Sequence, residues 1–297
     1  MKVLVVYTKR ERTPFNEYVS PEMIHLISEC LENNGFKASS AIYTPSSIKR
    51  KITSFMPDVI FQLAYGYKYR HIYEQQADTT CRLEYLGQKT IGASSLNQRV
   101  AQDKLEAASV LACAGIKSPK ILFEVSDAQS KLLIMKPRSG ACHRDIKVFS
   151  SSEVKNNLII PDGMILQEFC EGREFTVGVI ETSQGLKVLP PLEIKYNSKA
   201  KKPQYMDSSV CEWKYKSNIN DDYGLMPLAA RAFASLKLRD YARFDFRISN
   251  NEPLLLDANA LPNLHPEVSL LPRAASLSGI SYSALIKIIV TNALRRP

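Results

Sequence analysis

Two apolar runs, 242–248 (ARFDFRI) and 253–258 (PLLLDA), flank Asn250-Asn251 and constrain this chain more than any other feature. Both are rich in residues that favour strands, and paired asparagines tolerate the left-handed backbone of a tight turn, so the two read as arms of a β-hairpin. Each arm nevertheless carries polar chemistry: Arg243 and Asp245 on the first, Asp257 and then Asn259 on the second. Side chains two apart on a strand share a face, so Arg243 points with Asp245 and Asp257 with Asn259. Two registers are open, one setting Asp245 against Leu256 and the other against Asp257. Only the second gathers three oxygen-bearing side chains on one face.

Carboxylates on apolar strands are costly unless paired or ligated. The hairpin therefore holds either an ordinary Arg243–Asp245 ion pair, with Asn259 capping a turn before Pro262, or a cation site. Two carboxylates and an amide oxygen, with no histidine or cysteine beside them, suit Mg2+ shared with phosphate oxygens. An arginine next to them suits a transferring phosphoryl group or a developing oxyanion.

Upstream, the first 90 or so residues alternate strand and helix in the manner of a parallel α/β unit. A strand over 3–7 precedes a helix opening at Ser20-Pro21-Glu22, with serine as cap and proline in the first turn, and the Asn33-Asn34-Gly35 turn closes that helix. Strands follow over 36–43 and 58–63. A helix is expected from 96 to 114, stopped by Gly115, then strands over 132–136 and 164–168, and a strand pair over 175–180 and 186–194. The polar, lysine-rich stretch 196–220 reads as a long loop, a form uncommon in compact proteins unless it is functional. A helix over 227–236 precedes the hairpin, and one over 281–294 closes the chain. The expected division is 1–93, an α/β substrate domain; 94–168, a small α+β unit; and 169–297, an α+β catalytic unit.

The segments YARFDF, LLLDANALP and QEFCEGREFTVGV, with Leu83-Glu84-Tyr85-Leu86-Gly87, Ala101-Gln102-Asp103-Lys104, Ile134-Met135-Lys136-Pro137 and Ser269-Leu270-Leu271-Pro272, together resemble the corresponding segments of D-Ala-D-Ala ligases. The resemblance runs through nearly the whole chain and implies an ATP-grasp fold: an N-terminal parallel α/β domain, a small central α+β domain and a C-terminal α+β domain. It also implies an ADP-forming ligase that activates a carboxylate as an acyl phosphate and joins it to an amine, using ATP and Mg2+, two ions in all, with Mn2+ as a substitute. By resemblance Lys104 and Lys136 contact the ATP phosphates, the main chain from Gln167 and Glu168 to Cys170 holds the adenine, and Glu174 takes the ribose hydroxyls. Asp245, Asp257 and Asn259 match the family's magnesium ligands, and Arg243 matches the arginine that steadies the acyl phosphate. Lys214 and Tyr215 resemble the end of a mobile lid, main-chain donors near Asn263 an oxyanion turn, and Ser269 the serine that binds the second amino acid's carboxylate.

The pattern departs from the family where the first amino acid is held. Glu17 and Ser20 fall in the N-terminal loop, Glu17 out of register, and Tyr65 opens YGYKYRHIYE in place of the family's histidine-glycine motif. The phosphate loop after Lys136, running from Arg138 to Arg144, is one residue short. These departures favour a biosynthetic relative that ligates other amino acids or closes a ring within one substrate; the alternatives are a D-alanine–D-alanine ligase of wall synthesis and a nucleotide-binding module without turnover.

A formal charge of +9 fits anionic partners. The basic residues are dispersed and lack interleaved aromatics, so small amino-acid-like molecules are expected rather than nucleic acid. No apolar stretch reaches the roughly 18–20 residues of a membrane span. The six cysteines form no CxxC pair, which fits a reducing cytoplasm. A homodimer through the first domain is expected from the resemblance alone.

Overall fold

The computed structural model describes residues 1–12, 19–139, 146–152, 158–196, 213–217 and 220–296. Strand β1 (Lys2–Tyr7) lies between β2 (Lys37–Ile42) and β3 (Val59–Leu63) in a parallel sheet. Helix α1 (Pro21–Asn33) joins the first two and α2 (Ile48–Phe55) the next. Ser20 caps α1 as expected, its Oγ accepting the Met23 amide at 3.2 Å, and Gly35 at φ +81° ends it in a conformation that glycine adopts without strain. A short hairpin, β4 (Tyr67–Tyr69) and β5 (Ile72–Glu74), and helix α3 (Gln76–Tyr85) complete this part.

The single helix expected over 96–114 is two helices, α4 (Ser95–Gln102) and α5 (Lys104–Cys113). Asp103 makes the break. Its Oδ1 accepts the amides of Leu105 and Glu106 at 3.0 and 3.1 Å, starting a new helix in mid-run, and its carboxylate is held by Arg138 Nε at 2.7 Å. Strands β6 (Ile121–Leu122), β7 (Leu132–Pro137), β8 (Lys147–Ser150) and β9 (Met164–Glu168) follow as a four-stranded sheet in the order β6-β9-β7-β8.

The largest sheet is antiparallel and built on β10 (Arg173–Thr182). The strand expected over 186–194 divides at Pro190-Pro191 into β11 (Gly185–Val188) and β12 (Leu192–Tyr196), which pair with different stretches of β10, because consecutive prolines remove two ladder donors. Strand β13 (Trp213–Lys216) extends the sheet beyond β12, so the polar stretch 196–220 contains a strand. Helix α6 (Leu225–Ser235) covers one face. Strands β14 (Tyr241–Ser249) and β15 (Glu252–Asn259) form the expected hairpin. Helices α7 (Leu270–Leu277) and α8 (Tyr282–Arg295) end the described chain. Among the described residues, no single helix is long and apolar enough to cross a membrane.

Candidate active site

Both registers of the hairpin occur in it. Near the tip Ser249 faces Glu252 and Phe246 faces Leu255; beyond a β-bulge, Asp245 faces Asp257 and Arg243 faces Asn259, and Leu256 is the residue taken up by the bulge. A bulge inserts one residue without breaking the sheet, and here it sets the two carboxylates side by side. Residues Phe244 and Phe246 turn to the core under α6 together with Phe175, Val177 and Leu255. The opposite face then carries Arg243, Asp245 and Arg247 from β14, Glu174 and Thr176 from β10, and Asp257 and Asn259 from β15.

Asp245 is 7% exposed and fully engaged. Its oxygens accept Thr176 Oγ1 at 2.6 Å, Arg243 Nε and Nη2 at 3.0 and 2.9 Å, and Asn259 Nδ2 at 2.9 Å. Asn259 thus gives its amide nitrogen to the protein, and among the described residues no donor meets its carbonyl oxygen. Asp257 stands 3.4 Å from Lys104 Nζ, the first residue of α5, so the break at Asp103 is what brings that lysine to the hairpin. Lys136, on β7, faces the same place from the other sheet. Burial pushes its amine down to about 8, against the pull of Asp257 and with the help of the Lys104 and Arg247 charges.

The hinge between the two sheets spends its side chains on scaffolding. Gln167 donates to the Pro119 carbonyl at 3.0 Å, and Glu168 accepts the Gln129 amide at 2.8 Å, while the main-chain amides of Glu168 and Phe169 donate to the Lys120 and Leu132 carbonyls at 2.9 Å each. Burial raises the Cys170 thiol and keeps it protonated. Gly172 has φ +137°, and a Cβ there would sit 1.9 Å from the Ile248 carbonyl oxygen, so only glycine lets the hinge meet β14 this closely. Glu174 is 4% exposed, ion-paired with Arg247 and bonded to Tyr196 Oη at 2.7 Å.

A second group of residues lies at the start of α7. Ser269 Oγ donates to Asn263 Oδ1 at 3.0 Å, and the His265 amide donates to the same oxygen at 2.8 Å. One turn on, Arg273 Nη1 donates to Tyr215 Oη at 2.8 Å and its guanidinium stacks 5.1 Å from that ring, fastening β13 to α7. Tyr65 is 4% exposed and belongs to the core shared with α7 and α8. Ser20 acts as a helix cap. Glu17 lies outside the described residues, as do Cys142, His143, Arg144 and the side chain of Lys214. Arg138 is taken by Asp103.

The face fits a nucleotide with its cation. Among the described residues no three His, Cys, Asp or Glu side chains gather to enclose a metal; Asp257 and the Asn259 carbonyl oxygen would hold a Mg2+ whose shell phosphate oxygens complete, with Asp245 joining them by giving up a hydrogen bond that it makes here. Lys104, Lys136 and Arg243 supply the balancing positive charge. Sequence reasoning omitted Thr176, Arg247, Arg273 and Tyr196. The first two had a signal, since each lies two residues along a strand from a residue already chosen, Glu174 or Asp245.

Residues 151–291 match the family model described as D-ala D-ala ligase C-terminus. A D-alanine–D-alanine ligase of Bordetella petrii is 30% identical over 236 residues, which cover 71% of this chain and 70% of that protein. One from Thermotoga petrophila is 25% identical over 90% of both. In structure, the D-alanine–D-alanine ligase of Bacillus anthracis complexed with ATP superposes with a TM-score of 0.71 at 19% identity, covering 99% of this chain and 98% of that one. The VanG D-Ala:D-Ser ligase of Enterococcus faecalis gives 0.71 at 16% identity, covering 98% and 99%. The hairpin met first as a puzzle of charge on apolar strands lies inside the matched region, and the chain belongs to the D-alanine–D-alanine ligase family of ATP-grasp enzymes, ADP-forming ligases that make a carbon–nitrogen bond.

Proposed function

We propose that this ligase joins two molecules of D-alanine at the expense of ATP. The observation that carries the reading is the face on which Asp245, Asp257 and Asn259 converge beside Lys104, with Lys136 opposite. The names of the relatives support D-alanine as the substrate, more than they support the different acyl donor expected from the sequence.

On this reading Lys104 and Lys136 hold the triphosphate, as compact donors that suit phosphate oxygens. Mg2+ bound by Asp245, Asp257 and Asn259 would draw the phosphates together and spread their charge. Arg243 is locked to Asp245, so its guanidinium is set in place before the substrate carboxylate takes the γ-phosphoryl group of ATP, releasing ADP, and before the amine attacks the resulting acyl phosphate and displaces inorganic phosphate. Ser269, oriented by Asn263, receives the carboxylate of the second amino acid. Tyr215, held by Arg273, closes the other side, where exclusion of water protects the acyl phosphate from hydrolysis.

One observation favours a second reading, a larger or more acidic acyl donor. The β4–β5 hairpin stands where the family's histidine-glycine motif belongs, with Tyr67 buried and the Arg12 guanidinium 3.7 Å above the Tyr69 ring. The experiment is ADP release with D-alanine alone, then with other amino acids in pairs, and mass spectrometry of the product. ADP with the dipeptide from D-alanine supports the first reading; silence with D-alanine and turnover with another acid establishes the second; silence throughout refutes both. Asp257→Ala is expected to abolish turnover and leave a cooperative thermal transition, and retained activity would remove the hairpin from the chemistry.

A further inference from the structure

Arg247 has no part in the roles assigned above, yet it is 3% exposed on the nucleotide face. It sits in β14 opposite Glu174 on one side and Leu254 on the other. Nη2 pairs with Glu174 Oε2, Nη1 donates to the main-chain carbonyl of Cys170 at 3.0 Å, and the guanidinium lies 5.4 Å from the centre of the Phe169 ring. Nε is buried without a hydrogen-bond partner.

A buried ion pair is weak support for stability, since apolar residues of the same volume often serve as well. A guanidinium kept for stability alone would also be expected to have its donors satisfied. What the two bonds do instead is join the hinge to a carboxylate on the neighbouring strand. Arg247 and Tyr196 both use Oε2 of Glu174, and among the described residues no donor meets Oε1. The carboxylate is therefore neutralised and turned, with one oxygen left for a ligand hydroxyl.

We propose that Arg247 is a nucleotide-positioning residue, which fixes Glu174 and the Cys170 carbonyl as one rigid receptor for the nucleoside and so makes the ligase select the ribose sugar. This rests on reading the face as the ATP site. Arg supplies what Lys does not, a planar fork that reaches two acceptors at once.

The test uses the full chain, with affinity for ATP and for 2′-deoxy-ATP, the KM for the amino acid, and the thermal midpoint. Arg247→Lys is expected to fold, to leave the amino-acid KM unchanged, and to bind ATP about tenfold more weakly, the weight of one charge-assisted hydrogen bond. Its preference for ATP over 2′-deoxy-ATP falls toward unity. Glu174→Gln combined with Arg247→Met removes both charges, and it keeps the parent's thermal midpoint without keeping the preference. A folded Arg247→Lys that keeps the parent's preference for the ribose nucleotide overturns the proposal. Lys136→Met separates the two levels of inference. If ATP affinity survives that change, the site reading fails and the role of Arg247 with it; if ATP affinity collapses there while Arg247→Lys keeps its preference, only the role of Arg247 fails.

Discussion

Lys136 is a lysine buried among charges of both signs, and its protonation is a readout of what it holds. Its amine titrates at about 8 because burial disfavours the ammonium. Phosphate oxygens favour the charged form, so bound ATP raises that value again. Above about pH 8, binding is expected to take up a proton, and affinity to fall by up to about tenfold for each unit of pH. The empty protein follows the opposite trend. Its folded value lies below that of the unfolded chain, so the unfolded state binds more protons in this range and stability rises with pH. Calorimetric titrations with ATP in two buffers of different ionisation heat measure the uptake, and equal heats at about pH 9, between the value of about 8 in the empty protein and that of a lysine in water, would take Lys136 out of the phosphate site.

At the scale of elements, the break between α4 and α5 is the feature most open to test. Asp103→Ala removes a helix cap and should cost about 1 kcal/mol; its bond to the part-exposed Arg138 adds little. Because Lys104 is the first residue of the new helix, the larger effect is expected in the KM for ATP, with the thermal midpoint only slightly lowered. A midpoint that drops with KM unchanged would mean that Asp103 serves the fold alone. This break was missed in the sequence, where neither proline nor glycine interrupts 96–114 and the one local signal was Asp103, a residue suited to capping the amides of Leu105 and Glu106. The hairpin was legible because alternation and turn chemistry are local signals. Its register was not, since the bulge at Leu256 lets both candidate pairings coexist, one on each side of it. The carboxylates and lysines of the site could be chosen from motifs, whereas the pairs Arg247–Glu174 and Arg273–Tyr215 join strands and helices whose adjacency only folding creates. The strand β13 was lost in a polar loop because its partner β12 supplies the order that its own sequence lacks.

Across the whole molecule, the N-terminal and C-terminal parts are fastened by a buried polar knot. Asp240 is fully buried; it accepts the Gly92 amide at 2.7 Å and Asn292 Nδ2 at 2.9 Å, and pairs with Arg296 at 3.0 Å. Burial raises its carboxyl and the Arg296 charge opposes that shift. Arg296→Ala leaves this carboxylate without its cation and should cost about 3 kcal/mol in denaturant unfolding, with Asp240→Asn costing less because an amide needs no counter-charge; equal costs would mean that Arg296 acts through its bond to the Thr90 carbonyl instead. The same region shares one apolar core. Val3, Val5, Ile27 and Leu31 of the first strand and helix pack in a single cluster with Leu285, Ile286, Ile289 and Val290 of α8. During synthesis the first of these residues leave the ribosome some 280 positions ahead of the last, at about 5–20 residues per second. The nascent α/β layer must therefore wait, its oily side uncovered, until the final helix arrives, and it is in that interval that a cell's chaperones would meet this protein.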